Sequence, residues 1–401
     1  SARARNKRQS VLPMRNAGQT PAFTANSTGE RQMPSSIDSD GLRGSVRGKR
    51  LGVAVTPAMW TPGVGCLLDQ LVEWGDVRGF LGLEHGLRGE LQAGVTFDNY
   101  TDSRTGLPVF SIYDDRHSFP IHFLASVDAV VFHAQDISHR AYSYKQALAH
   151  VLEDCAATGT ELIVLDRPAP LGHLPPAGIA ARQYFPLSLP MVIPLTLGEL
   201  ALWLRDVRGL DINLNVLPVR EWRRQDGWPG HRLPWIPPSP NIPTLDSVYA
   251  YACTWMVQST NVSEGRGTCR PFEYIGAPFV NAQALTDALS RHALSGVAFR
   301  EICFAPTFGK FAGDVCAGCQ MVLLDRRALD PVRVTCAVLK ELARLHPDEL
   351  TLDKGFDRRM GLGCWTRERL ATMDVDAYLE RSRDDGGQFA EETRPHRLYD
   401  E

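Results

Sequence analysis

Residues 129–166 read AVVFHAQDISHRAYSYKQALAHVLEDCAATGTELIVLD. An apolar run, AVVFHA (129–134), is followed by a stretch with helical spacing, AYSYKQALAHVLEDCAATG (141–159), and then by a second apolar run, ELIVLD (161–166). Two short β-branched runs separated by one helix predict a strand–helix–strand unit, and strands joined through a helix lie parallel. The alternation extends both ways. LGVAVT (51–56), GFLGL (79–83) and PVFSIY (108–113) precede the unit as strands, with a helix over GCLLDQLVEW (65–74). LGELALWLRDV (197–207) follows as an amphipathic helix and LNVLPV (214–219) as a last strand. The pattern predicts an α/β fold with a mostly parallel sheet covered on both faces.

The proline-dense stretch GWPGHRLPWIPPSPNIPTLD (227–246) ends this pattern, because proline stops helices and interior strands alike. It predicts a domain boundary near residue 245, with one domain over 48–245 and a smaller α+β domain over 246–401. In the second, helices are expected at 246–257, 282–292, 332–345 and 374–382, and strands near 297–304 and 319–324. Residues 1–47 are rich in Ser, Asn, Gln, Arg and Gly and read as a flexible arm.

The chain has 401 residues, 44% hydrophobic and 22% charged, which is enough to build a large core. A formal net charge of -3 gives no general reason to expect nucleic acid or an anionic membrane as partner. No apolar stretch approaches the ~20 residues that span a bilayer. Nine cysteines, an odd number, suit a reduced, cytoplasmic chain better than a disulfide framework. Cys316 and Cys319 form the only CxxC, without a second pair at zinc spacing, so no metal is expected. The first strand leads into TPAMWTPGVG, which lacks G-x-G-x-x-G, and no G-K-[ST] loop is present. No nucleotide or other cofactor is expected.

In open parallel sheets, ligands bind outside the C-terminal ends of the strands. Three polar clusters fall there. Glu84 and His85 follow GFLGL, within LGLEHGLRGELQAG (81–94), which also holds Arg88. Gln135 and Asp136, with Arg140, follow AVVFHA; Asp166 and Arg167 follow ELIVLD. Each also has an ordinary structural reading: Glu84 in an exposed turn, Asp136 as a helix cap, Asp166–Arg167 as a local ion pair. A further cluster, NVSEGRGTCRPFE (261–273), holds Asn261, Glu264, Arg266 and Arg270. Gly265 and Gly267 flank Arg266; glycines let the backbone approach a ligand, and arginine grips a carboxylate with two parallel hydrogen bonds. The alternative is a tight turn with Glu264 in solvent.

From residue 48 to the end these pieces resemble the exo-β-N-acetylmuramidase (NamZ) family of bacterial peptidoglycan glycosidases. The resemblance rests on EHGLRG (84–89), TGLPVFSIY (105–113), VLDRPAPLG (164–172), LPWIPPSPNIPTLD (233–246), TNVSEGRGTCRPFE (260–273), PTFGKFAG (306–313) and RPHRLY (394–399), in that order. It implies a Rossmann-like N-terminal catalytic domain closed by a smaller auxiliary domain, acting on a small glycan fragment by removing terminal N-acetylmuramic acid. It implies Glu84 as general acid. A partly desolvated carboxyl stays protonated near neutral pH and protonates the glycosidic oxygen as the bond breaks. His85 is expected to bond Glu84 or the sugar. Asp136 is the first candidate for the second carboxylate and Glu264 the next. Arg266 or Arg270 is expected on the lactyl carboxylate, with Arg88, Gln135, Arg140, Asp166, Arg167 and Asn261 completing the substrate contacts.

The chain also departs from the family pattern. Pro57 follows Thr56 where the family has Asn; His133 stands where the family has the Asp before its Ile-Gln-Asp turn, with Ala134 next; Ala169 replaces Asn; Val192-Ile193-Pro194 replaces Arg-His-Gly; Gln258 replaces a frequent Glu. Each sugar hydroxyl left without its hydrogen-bond partner weakens binding by about 1–3 kcal/mol. The departures raise two alternatives: a repurposed intracellular enzyme using Glu84 on another small molecule, and a non-catalytic sugar-binding protein. Whether the changed residues line the pocket discriminates between them.

Overall fold

The computed structural model describes residues 37–61, 65–112, 120–182, 187–228 and 233–400. In chain order the N-terminal strands are β1 (Arg50–Val55), a short ribbon of β2 (Trp60–Thr61) and β3 (Gly65–Cys66), β4 (Asp76–Gly82), β5 (Tyr100–Thr101), β6 (Pro108–Ser111), β7 (Ala129–His133), β8 (Glu161–Leu165) and β9 (Leu214–Leu217). Seven form one sheet in the order β5-β6-β4-β1-β7-β8-β9, in which every pairing but that of β5 with β6 is parallel. This is the expected doubly covered α/β architecture.

Period-two alternation divides the sheet between two cores. Leu51, Val53 and Val55 of β1 pack with Leu42 and Val46 of α1 (Ser39–Val46) and Leu68 and Leu71 of α2 (Leu67–Trp74). Ala54 turns the other way, into a cluster with Phe123 of α3 (Ile121–Leu124), Leu148 and Leu152 of α4 (Tyr144–Thr158) and Leu200 of α5 (Leu197–Arg208). Thr196 and Glu199 form a capping box that starts α5, and Gly209, at φ 60°, ends it. Helix α1 corrects the expected arm at its C-terminal end: Leu42 and Val46 are fully buried, so this stretch belongs to the core. Residues 1–36 lie outside the described set.

The second region has an antiparallel sheet, β10-β12-β11, made of β10 (Tyr274–Ala277), β11 (Val297–Phe304) and β12 (Cys316–Leu323). Helices α6 (Leu245–Thr254) and α7 (Ala282–Ser290) pack on it, and α8 (Pro331–Leu345) packs against both helices, followed by α9 (Phe356–Met360), α10 (Arg367–Ala371) and α11 (Val375–Thr393). The helix expected at 374–382 runs on to Thr393; β5, β10, α9 and α10 were not anticipated. Cys316 and Cys319 both lie on β12. Three residues apart on a strand, they point to opposite faces and cannot share a ligand. After α11 the chain returns to the parallel sheet, where the Tyr399 hydroxyl donates to Asp166 Oδ2 at 2.6 Å and accepts from Val219 N at 2.9 Å.

Candidate active site

Strand β4 carries the chain to Leu83, and a tight turn follows. His85 and Gly86 both take left-handed φ angles, 77° and 79°. Glycine adopts that conformation freely, whereas histidine holds it under strain. The turn presents the Glu84 carboxylate. Its Oε1 accepts from Gly94 N at 3.1 Å, and its Oε2 accepts from the hydroxyl of Ser143, the residue that opens α4. His85 Nδ1 donates to the Leu91 carbonyl at 3.0 Å. Burial lowers the His85 pKa against the opposing pull of Glu84, so the ring is neutral at neutral pH.

Across a cavity of about 610 Å³ stands the loop holding Glu264 and Arg266. That volume falls in the ~300–1,000 Å³ range of small-molecule pockets. Gly265 and Gly267, at φ 81° and 83°, bracket Arg266 in a conformation side chains resist. Glu264 is 4% exposed. Its Oε1 accepts from Arg266 Nη1 at 3.0 Å and its Oε2 from Lys310 Nζ at 3.0 Å. Burial alone would push the Glu264 carboxyl up; the Lys310 and Arg266 charges outweigh it and hold the group below the ordinary glutamate range. Arg266 also donates to Gln258 Oε1 at 3.1 Å and lies 5.0 Å from the centre of the Phe272 ring. Tyr142, Tyr251, Trp255 and Phe308 supply aromatic walls, and Gln92, Gln146, Ser239 and Asn241 supply neutral polar groups.

Of the residues singled out from sequence, the structure brings Glu84, His85, Glu264 and Arg266 to this cavity. The others sit elsewhere. Asp136, the first choice for the second carboxylate, does not line the cavity: it is buried, ion-paired to Lys145, and accepts from Ser138 N at 2.6 Å. Gln135 is buried and accepts from Arg167 Nε at 2.7 Å. Arg167, also buried, donates to His133 Nε2 at 3.0 Å, and burial lowers its pKa to about 9. Asp166 accepts from Tyr399 and from Gly198 N at 2.9 Å; burial raises it to about 6. Arg140 holds the carbonyls of Ile179, Leu189 and Arg359. Arg88 makes a two-pronged pair with Asp102, both bonds at 2.9 Å. Asn261 binds the backbone of Glu349 and Thr351, and Arg270 faces Glu273. None of these seven lines the cavity, and each bonds protein partners outside it.

The departures follow the same division. His133, Ala169, Val192 and Ile193 are buried away from the cavity, and of the described departures only Gln258 lines it. The side chain of Pro57 is outside the described set. Sequence reasoning missed Ser143, Tyr251, Trp255 and Lys310. Lys310 sits in PTFGKFAG, where a lone lysine between glycine and phenylalanine carries no signal of its own.

A parallel α/β sheet whose strand ends open onto a cavity with two glutamates has the equipment of a glycosidase. Family models agree. The N-terminal model of the exo-beta-N-acetylmuramidase NamZ matches residues 51–246, and the C-terminal model matches residues 249–399. The peptidoglycan beta-N-acetylmuramidase NamZ of Bacillus subtilis (strain 168) is 34% identical over 366 residues, covering 88% of each chain. A DUF1343 family protein of Bacteroides fragilis NCTC 9343 superposes with a TM-score of 0.80 at 29% identity, over 90% of this chain and 97% of its own. A second DUF1343 protein of that organism shares the fold, with a TM-score of 0.71 at 24% identity, over 91% of this chain and 99% of its own. The chain belongs to the exo-β-N-acetylmuramidase NamZ family and is a glycosidase-type hydrolase.

Proposed function

We propose that the protein cleaves a terminal muramyl-type amino-sugar glycoside, with Glu84 as general acid. The observation that carries this reading is the pairing of Glu84, on the parallel-sheet side of the cavity, with Glu264 and Arg266 on the other. Glu84 donates its proton to the glycosidic oxygen as the bond breaks, and Ser143 and Gly94 N fix its two oxygens. Glu264, held ionised by its two cations, faces the positive charge that develops on the sugar and orients the attacking water. Arg266 and Lys310 together exceed the single charge of Glu264. The remaining positive charge suits the lactyl carboxylate that distinguishes muramic acid from glucosamine. In this division of labour residues 48–245 provide the acid and residues 246–401 the anion-binding wall.

The positions of the departures support the muramyl substrate over a repurposed one. The altered strand-end residues that are described lie off the cavity, and the exception, Gln258, keeps a hydrogen bond to Arg266. The test is hydrolysis of a chromogenic β-N-acetylmuramide by wild type and Glu84→Gln. The amide keeps the shape of the acid but has no proton to give, so turnover should fall by about 10²–10⁴-fold. A folded wild type that leaves this glycoside intact would exclude the muramyl reading.

A further inference from the structure

Among the described residues Lys310 is the one lysine at the cavity, yet all its bonding capacity is turned away from a ligand. Its Nζ donates to the carbonyls of Val262 at 2.8 Å, Gln258 at 3.0 Å and Val257 at 3.3 Å, and to Glu264 Oε2 at 3.0 Å. An ammonium has three protons, so four acceptors saturate it. Three come from backbone on either side of the turn that leads into Glu264. The loop that brings Lys310 here is pinned separately: Thr307 donates to the Gly267 carbonyl through N at 2.8 Å and Oγ1 at 2.9 Å. Residues 305–315 and the Glu264 loop therefore form one unit.

We propose that Lys310 is a positioning residue, which clamps the Glu264 carboxylate against the cavity wall and leaves Arg266 as the cation that meets the substrate. The inference rests on Glu264 being the second carboxylate of the reaction. The charged and titratable groups around Glu264 are Lys310 and Arg266 beside it, Asp353 beyond Lys310, and Glu84 and His85 on the opposite wall. Lys310 is the strongest of the charges acting on Glu264, and both it and Arg266 favour the ionised form. Removing the ammonium leaves a buried carboxylate with one cation and takes a donor from three carbonyls, of which that of Val257 keeps its bonds from Thr260 N and Oγ1.

The experiment follows Glu264 directly, by isotope-edited NMR of the full chain labelled at glutamate carboxyls, with Glu264→Gln identifying its resonance. In the wild type this group should titrate below the ordinary ~4.3. In Lys310→Met it should move up by about one unit or more, and Lys310→Arg should bring it back. On the chromogenic β-N-acetylmuramide, the acidic limb of kcat/KM should move up with it. There kcat falls on the order of tenfold while KM changes little. A purely structural lysine would lower stability and leave both limb and resonance in place. If wild-type Glu264 titrates at or above the ordinary value, the proposal is wrong, and this arm needs no variant to fold. An unmoved resonance in a folded Lys310→Met overturns it equally. A resonance that moves while the acidic limb stays put would remove Glu264 from the reaction and overturn the positioning role with it.

Discussion

Gly267 is the residue on which the cavity's second wall hinges. A Cβ there would stand 2.4 Å from the Phe308 carbonyl oxygen and 2.8 Å from Phe308 N, and φ is +83°. The obstruction is backbone, so no side-chain rotation relieves it. Gly267→Ala should lose about 1–3 kcal/mol of stability, through φ strain and the displaced loop. It should also cut kcat/KM, since Phe308 and Lys310 move with that loop. Urea denaturation and steady-state kinetics check both effects, and an alanine variant with wild-type values would show that the loop reseats freely. At this scale the sequence was legible where glycines bracket a charged residue: Glu84 before Gly86, and Arg266 between Gly265 and Gly267. It was not legible at Asp136 or Asp166. A carboxylate just past a strand looks the same whether it faces a ligand or a buried partner, and the partners, Lys145 and Tyr399, come from another turn or from the far end of the chain.

Strand β7 ends in a buried histidine that is bonded on both ring nitrogens. His133 Nδ1 bonds the Leu165 carbonyl at 2.8 Å, and its Nε2 accepts from Arg167. Burial first, and the Arg167 charge second, push the His133 pKa down to about 3. The unfolded chain takes up a proton below about pH 6.5 that the folded protein refuses, so this group costs stability as pH falls from about 6.5 towards 3. Asp166 acts in the opposite sense. Its folded pKa is raised, so its contribution is full below about 3.8 and is lost as pH rises through about 6. His133→Gln retains an acceptor for Arg167 but does not titrate. Between pH 6.5 and 5 the wild type should lose roughly 2 kcal/mol that the variant keeps. Chemical denaturation at the two pH values measures the difference, and parallel losses would contradict it. Strand and helix types were readable at this scale because their periods differ. The two-residue β5 and the five-residue α9 and α10 are too short to show a period, and the apolar residues of α1 were hidden in a polar segment.

Across the whole molecule, the last residues tie the end of the chain to the N-terminal sheet. Beyond the Tyr399 bonds, Leu398 N donates to Glu199 Oε1 at 3.0 Å, His396 pairs with Asp206 at 3.0 Å, and the Tyr399 ring packs against Trp222. Tyr399→Phe leaves the Val219 N–H and Asp166 Oδ2 buried without that partner. It should destabilise the protein by about 1–3 kcal/mol while leaving kcat intact at temperatures where the variant is folded, because neither Tyr399 nor Asp166 lines the cavity. A loss of kcat in the folded variant would mean that the tail acts on the cavity. The closing RPHRLY motif contributed to the family resemblance, but its role depends on a partner 233 residues away in sequence.

The cavity has one wall from each part of the chain, and Arg140 joins the parts from behind. Its guanidinium holds the carbonyls of Ile179 and Leu189 and that of Arg359, whose own side chain donates to Ser259 Oγ at 3.0 Å, next to Gln258. Sugar affinity in such a cleft contains the free energy of keeping its jaws in register as well as that of the contacts inside it. Evolution can therefore retune how tightly this enzyme holds its substrate from the rear of the molecule, leaving every residue that touches the sugar unchanged.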